Sequence, residues 1–265
     1  MKILVVMGSP RKKDGYNICK VIEENMTQKG HITFEYVQLK DLNIEECRGC
    51  CLCLQKGEDY CPIRDDIKMV RAKLNDSDGI IFNSPVYAQQ ITGSFKKVID
   101  RLAYLFHRPE LIGKPAITLV TTDGGGQGVT QKYLKMTAGG WGCNLVNQVT
   151  VISQMFFKEK ELYNEKYKIK KEKELKNISD AFYRTVKMKK LPRPSYYDIY
   201  MFNGLKSKTY MSEVDYNYWE NKGWLNSNYY YKTKISIGKK FFGYMIDSMI
   251  RLMWNKMQKN KTIKQ

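Results

Sequence analysis

The sequence predicts an α/β protein in which a doubly wound parallel sheet of five strands is followed by a mainly helical and aromatic-rich extension. Two observations support this prediction. In residues 1–152, five short apolar runs alternate with segments whose apolar residues recur at helical spacing, and beyond residue 152 this alternation stops. Strands that alternate with helices pair in parallel, and the helices cover both faces of the sheet.

The predicted elements follow one another at short intervals. The first strand, Lys2–Met7, is an apolar run, and the first helix, Ile18–Lys29, has apolar residues at positions 18, 21, 22 and 26 before Gly30 ends it. The same two patterns mark the later elements. The other predicted strands are Ile32–Leu39, Gly79–Asn83, Ala116–Thr121 and Asn144–Ile152. The other predicted helices of this part are Asp65–Asn75, Gly93–Phe106 and Val129–Ala138.

The extension, residues 153–265, has a different composition. A charged helix is predicted over Glu159–Lys176, a break at Leu191–Pro194, and a last helix over Lys239–Met257. The aromatic residues crowded into Tyr196–Tyr231 are too many for a disordered tail. The sequence therefore predicts two parts, a sheet domain over 1–152 and an extension over 153–265. Its last helix is amphipathic, which suits either docking on the protein or contact with an anionic membrane surface.

Positive charge is concentrated in the extension. Residues 1–150 carry 20 Lys and Arg against 16 Asp and Glu, and residues 151–265 carry 25 against 11. A basic region can face nucleic acid, anionic lipid or a phosphorylated cofactor, but solvated lysine-rich faces are the simpler explanation. We expect no nucleic-acid partner and do not favour a membrane. With no secretion signal or spanning segment recognisable, we expect a cytoplasmic protein.

Four cysteines lie within fifteen residues, at Cys47, Cys50, Cys53 and Cys61. Repeated spacings of this kind suit a cuboidal iron–sulfur cluster and indicate electron transfer. Zinc is a minor alternative, since zinc sites usually pair separated Cys-x2-Cys knuckles or use histidines. Redox-active or packed thiols are the stronger alternative. Cys51 is an additional cysteine outside the repeated spacing.

Ligands of a doubly wound sheet bind outside the carboxyl ends of the strands, where the strand order reverses. The loops at these ends are Gly8–Asn17, Ser84–Thr92 and Thr122–Gly128. In the first loop Ser9, Arg11 and Asn17 could bind phosphate together with helix N-terminal amides, although Asn17 could instead be only an N-cap. The third loop is rich in glycine, which either lets backbone approach a flat ring or makes a flexible surface loop.

The middle loop carries a more specific signal. The runs Asn83-Ser84-Pro85-Val86-Tyr87 and Ile99-Asp100-Arg101, with Lys96 between them, resemble the signature of flavodoxin-like NAD(P)H-dependent FMN reductases. Together with Gly8-Ser9-Pro10-Arg11 and the cysteines, they resemble the iron–sulfur flavoprotein branch of that family. The resemblance implies a flavodoxin-like fold for residues 1–150, with FMN as cofactor.

The resemblance also implies site residues. Ser9, Arg11 and Asn17 match the phosphate loop; Pro85, Val86 and Tyr87 match the segment beside the isoalloxazine; Thr122, Asp123, Gly124 and Gly125 match the loop over the other ring edge. Cys47, Cys50, Cys53 and Cys61 match the ligands of a [4Fe–4S] cluster. Two departures concern the run Ala88–Ile91 after the tyrosine and a phosphate loop lengthened by Lys12 and Lys13.

The expected activity is that of an FMN-dependent oxidoreductase. NAD(P)H would reduce the flavin, and the cluster would pass electrons singly to an unknown acceptor. No side-chain acid or base is required, so no catalytic residue is predicted. We expect a homo-oligomer. The alternative is an electron-carrier or redox-sensing flavoprotein that docks a partner or membrane surface without small-substrate turnover of its own.

Overall fold

The structure, a computed structural model, describes residues 1–262. Its sheet consists of β1 (Lys2–Met7), β2 (Thr33–Gln38), β3 (Gly79–Pro85), β4 (Pro115–Thr122) and β5 (Asn144–Ile152). The first and last strands have the predicted bounds, and the others differ from them by one or two residues. Apolar runs of this length are buried on both faces of the sheet, as β1 and β3 are.

All five strands are parallel and lie in the order β2-β1-β3-β4-β5. The order reverses beside β1, because the chain adds β2 on one side of it and then β3 on the other. Met7 at the end of β1 pairs with Asn83, and Thr121 of β4 pairs with Pro85. The loops after β1, β3 and β4 therefore start at the same edge of the sheet. The predicted fold class is confirmed.

The α-helices of the described residues alternate with the strands and then continue through the extension. They are α1 (Asp14–Thr27), α2 (Leu52–Gln55), α3 (Ile67–Asp76), α4 (Gly93–Arg101), α5 (Gln127–Gly140), α6 (Ser153–Phe156), α7 (Glu165–Met188), α8 (Tyr196–Lys206), α9 (Glu213–Asn221) and α10 (Ile237–Thr262). Within residues 1–262, no helix is both long enough and apolar enough to span a membrane.

Each predicted helix differs from the observed one in at least one bound, and two of them show the physical reason. The predicted helix Gly93–Phe106 is wrong in its last turn, because α4 ends at Arg101 and residues 103–106 form a 3-10 turn. Tyr104 and Leu105 are buried, so the apolar pattern runs on past the true end. The helix predicted over Glu159–Lys176 begins later, where the Asn164 side chain accepts from the Tyr167 N–H. It also ends later, at Met188.

Contacts group the chain into two compact units. The first comprises residues 1–48, 63–102 and 111–191, and the second comprises 49–62, 103–110 and the chain from Pro192 onward. In the first unit α7 packs on α1 and the sheet, and its buried side chains, from Leu175 to Val186, share one core with those of β1 and α1. The predicted domain boundary after residue 152 stays a prediction.

The second unit has an aromatic core. The rings of Phe202, Trp219, Trp224 and Tyr230 lie with centroids 4.8 to 5.9 Å apart, mostly tilted or edge to face. Trp219 is fully buried, and its indole N–H donates to the carbonyl oxygen of His107 at 2.7 Å. Buried aromatic side chains contribute large apolar area and need a partner for each polar end. Part of the aromatic run of the extension thus forms a packed core, whereas Tyr196, Tyr200 and Tyr216 are exposed.

Candidate functional site

A cavity of about 150 Å³ lies in the first unit, at the edge where β1, β3 and β4 end. Seven of the ten predicted cofactor-binding residues line it: Ser9, Arg11, Pro85, Val86, Tyr87, Thr122 and Asp123. Asn17, Gly124 and Gly125 are not among the residues that line it. Sequence reasoning did not select Lys13, Asp14, Gly15, Thr121, Ser153 and Lys160, which line it as well.

The loop after β1 is closed by Ser9. Its hydroxyl oxygen accepts from the backbone N–H of Arg11 at 3.1 Å and donates to the Arg11 carbonyl at 2.9 Å. Ser9 is buried, whereas Arg11 is exposed at the rim of the cavity. Such a short hydroxyl-closed turn orders the segment between strand and helix. It presents the arginine side chain beside the first turn of α1.

The start of α1 lines the cavity together with three cations and two carboxylates. The N-cap position is Lys13, and its side chain makes no capping hydrogen bond. Asn17 lies inside the helix, with its N–H bonded to the Lys13 carbonyl at 2.9 Å, so the N-cap alternative for Asn17 is wrong. Lys160 approaches Asp14 with Nζ 3.8 Å from Oδ2. Free helix N-terminal amides with nearby cations favour an anion.

Asn83 lies under the first turn of α1. It is fully buried at the end of β3, and its Oδ1 has no hydrogen-bond partner among the described residues. A Cβ on Gly15 would lie 2.6 Å from that oxygen, which is closer than real contacts allow. Glycine therefore lets the helix start approach the strand. A buried acceptor without a partner is uncommon in folded proteins, and here it adjoins a residue that lines the cavity.

The loop after β3 is built around a two-residue turn. Tyr87 and Gln90 exchange backbone hydrogen bonds at 2.8 and 3.0 Å, and the residues between them, Ala88 and Gln89, have φ of 47° and 66°. Left-handed backbone at both central positions defines a turn that favours Asn and Gly. The departure from the family pattern noted after Tyr87 thus falls on a turn with unfavourable residues. Tyr87 itself is 39% exposed.

The loop after β4 packs on the loop after β3. The Thr122 hydroxyl donates to the Gly125 carbonyl at 2.9 Å and accepts from the Gly124 N–H at 3.2 Å. Gly126 has φ of 80°, and a Cβ there would lie 2.7 Å from Val86 Cγ1 and 2.8 Å from Gln89 Oε1. Glycine is required at position 126 by both its backbone conformation and its neighbours. The Val86 N–H also donates to the Thr121 carbonyl at 2.9 Å.

The seven cysteines fall into two groups. Cys19 and Cys143 are buried in the first unit. Burial raises the pKa of Cys19, and it raises the pKa of Cys143 to about 12. Because the thiolate is the reactive and metal-binding form, these two are structural. The other five lie between residues 47 and 61 and are exposed or half-buried.

Among the described residues, the cysteine side chains of this segment do not converge on one position. Cys47 belongs to the first unit, whereas Cys50, Cys53 and Cys61 belong to the second. Within the described part of the chain no disulfide links any cysteine, and no three His, Cys, Asp or Glu side chains converge on a position suited to a metal ion. The donor type nevertheless fits an iron–sulfur cluster, since four thiols can supply the four thiolates it needs.

Residues of the second unit hold the segment around α2. Arg108 donates from Nη2 to the Cys53 carbonyl at 2.6 Å and to Glu58 Oε2 at 3.1 Å, and the Ser212 hydroxyl donates to the Leu54 carbonyl at 2.7 Å. These bonds satisfy carbonyls that a four-residue helix leaves unpaired. Asp215 ion-pairs with Arg108 from a fully buried position. Its other oxygen lies 2.7 Å from His107 Nδ1.

A flavodoxin-like sheet with a cavity at its switch point is an architecture that can bind a mononucleotide such as FMN. Residues 1–158 match the family described as NADPH-dependent FMN reductase. The chain belongs to that family. It is an FMN-dependent oxidoreductase.

The chain is also similar to individual proteins of known sequence and structure. An iron-sulfur flavoprotein of Archaeoglobus fulgidus is 28% identical over 229 residues, which cover 85% of this chain and 100% of the relative. A second iron-sulfur flavoprotein of that organism is 41% identical over 101 residues, which are 38% of this chain and only 48% of the relative. Among solved structures, a flavone reductase shares the fold with a TM-score of 0.55 at 18% identity, covering 73% of this chain and 66% of its own.

Proposed function

We propose that the cavity at the sheet edge is the FMN site of this oxidoreductase. The observation that carries the proposal is the convergence of the three predicted loops on one cavity, where Arg11, Lys13 and Lys160 outnumber the carboxylates of Asp14 and Asp123. A phosphate dianion suits such a group of cations beside free helix amides. Ser9 and Arg11 would bind the phosphate, as the family resemblance suggests.

The remaining lining residues would position the ring. Pro85 ends β3, and Val86 and Tyr87 lead into the turn after it; Thr122 ends β4, and Asp123 begins the glycine loop that packs on that turn. When bound, FMN accepts a hydride from NAD(P)H and releases electrons one or two at a time. The protein's contribution is to bind and orient the ring and to exclude water. Asn17, Gly124 and Gly125 stay predicted contacts outside the cavity lining.

We further propose that Cys47, Cys50, Cys53 and Cys61 bind a [4Fe–4S] cluster. Their spacing, their thiol chemistry and the similarity of the chain to iron-sulfur flavoproteins support this assignment. The cluster would be the one-electron outlet to an acceptor that the comparisons do not identify. The homo-oligomer expected from the sequence stays a prediction.

Anaerobic turnover tests the proposed function. Purified protein loaded with FMN is mixed with NADH or NADPH, and nucleotide oxidation is followed with an excess of a one-electron acceptor such as a ferric complex. Sustained turnover is expected, and it should cease in FMN-free protein. A single stoichiometric reduction of the flavin without further turnover would instead support the carrier or sensor alternative.

A further inference from the structure

The second unit contains a cavity of about 490 Å³ between α8, α10 and residues 225–228. Four cationic side chains line it, Lys206, Lys239, Lys240 and Arg251, together with one carboxylate, Asp247. Among the described lining residues the net charge is therefore +3, from four positive and one negative group. None of these residues belongs to the proposed flavin site or to the cysteine segment.

Lys206 is the unusual member of this group. It is only 8% exposed, and it lines the cavity. Burial lowers the pKa of Lys206; Asp247 opposes this effect and Arg251 adds to it. Burial of an ammonium group is costly, and the one carboxylate among the described lining residues, Asp247, is already paired with Arg251. An anion bound in the cavity would offset this cost.

The carboxylate of Asp247 already has hydrogen-bond partners within the protein. Asp247 accepts from Arg251 Nε at 2.9 Å and from the Tyr210 hydroxyl at 3.2 Å. Lys239 donates to the Pro194 carbonyl at 2.6 Å, which places its ammonium group without neutralising it. The cations therefore remain in excess around the space that Lys206 lines.

The cavity belongs to a closely packed helix pair. Gly243 of α10 faces α8, and a Cβ there would lie 3.0 Å from Ile199 Cγ2 and 3.1 Å from Asn203 Nδ2. Asn203 and Lys206 are three residues apart on α8, so their side chains share one side of the helix. Both line the cavity. The helices hold Lys206 in place, and a ligand would not have to order it.

We propose that this cavity binds the phosphate group of a phosphate ester, with Lys206 as the principal cation. An ammonium group is a compact point charge that suits phosphate, and an excess of +3 matches a multiply charged group better than a monocarboxylate. The phosphate could belong to a soluble metabolite or to a lipid headgroup, since the chemistry of the contact is the same. The proposal does not depend on the flavin assignment.

Thermal unfolding of FMN-loaded full-length protein tests the site, because FMN occupies the other anion site. Inorganic phosphate is added at constant ionic strength. At tenfold excess over its Kd, the midpoint should rise by about 3–6 °C. In the absence of phosphate, Lys206→Met should unfold at a higher midpoint temperature than the parent, since it removes the buried charge. Added phosphate should no longer raise the midpoint of this variant. The matched control Lys208→Met removes a lysine that does not line the cavity and should respond like the parent.

Two further experiments identify the kind of molecule that carries the phosphate group and keep the test valid if the variant misfolds. Co-sedimentation of the protein with phosphatidylglycerol vesicles, with phosphatidylcholine vesicles as the control, tests for a lipid headgroup. Binding by the parent that is lost in Lys206→Met would identify the headgroup as the ligand. Reductive methylation of the parent, read by mass spectrometry, should label Lys206 more slowly with saturating phosphate or vesicles. Unchanged labelling of Lys206, or equal responses of the parent and Lys206→Met to both ligands, would overturn the proposal.

Discussion

The guanidinium group of Arg108 joins the Cys53 carbonyl to the buried carboxylate of Asp215. It donates to the carbonyl at 2.6 Å and ion-pairs with a side chain 107 positions further along the chain. Arg108 is 3% exposed and Asp215 is fully buried. The backbone of the cysteine segment therefore depends on an ion pair whose two partners lie far from it in sequence.

Asp215→Asn should destabilise the protein strongly. The change leaves the partly exposed Glu58 as the remaining counter-charge of Arg108, and loss of one partner of a buried pair costs up to about 3–5 kcal/mol in the free energy of unfolding. Denaturant titration measures the loss, and limited proteolysis should cut residues 49–62 faster. Glu220→Gln is the control, because this carboxylate is exposed on the same helix and its loss should cost less than about 0.5 kcal/mol. Similar small effects for both variants would contradict the assignment.

Arg11→Ala should weaken FMN binding. A charge-assisted contact to phosphate contributes about 1.5–3 kcal/mol, so Kd should rise by roughly 10- to 150-fold. Fluorescence titration of apo-protein with FMN gives the value. Lys12→Ala removes an equal charge from the adjacent position, which does not line the cavity, and should change Kd much less. Equal effects of the two substitutions would mean that only long-range charge matters and that Arg11 makes no direct contact.

Gly126→Ala should disturb the flavin site, whereas Gly128→Ala should not. The first change places a Cβ against Val86 and Gln89 on left-handed backbone, which alone costs about 1–2 kcal/mol. At Gly128 a Cβ has no atom within 4 Å and lies in α5, where alanine is favoured over glycine. Thermal unfolding and FMN titration of both variants check this. If Gly126→Ala bound FMN as tightly as the parent, packing between the two loops would not shape the site.

Cys50→Ala should abolish the cluster, and Cys51→Ala should leave it intact. Adjacent residues point in different directions, so both cannot readily ligate one cluster, and the Cys51 thiol donates to the Gly49 carbonyl at 3.4 Å. Iron and sulfide are measured anaerobically in both variants, with FMN content as the internal reference. FMN should remain bound in each variant, because the phosphate loop is separate. Full iron content in Cys50→Ala would refute the ligand set.

Much of the proposed flavin site could be predicted from sequence because its residues sit at the ends of apolar strands. Pro85 is the last residue of β3, and Val86 and Tyr87 follow it directly, so a prediction of the strand also located these residues. Lys160 could not be found in this way, since it follows β5 by several residues and approaches Asp14 only once the chain has folded. The N-cap alternative for Asn17 was wrong because no local pattern showed that α1 begins at Asp14.

By itself, the sequence determined the order of strands and helices, the edge of the sheet that carries the loops, and the cysteine spacing, because each depends on side chains close together in the chain. Only the tertiary structure decided which charges are buried. Arg108 with Asp215, and Lys206 facing its cavity, are ordinary charged residues in the sequence. Their character comes from the low dielectric of the folded interior, and neighbours distant in the chain create that environment.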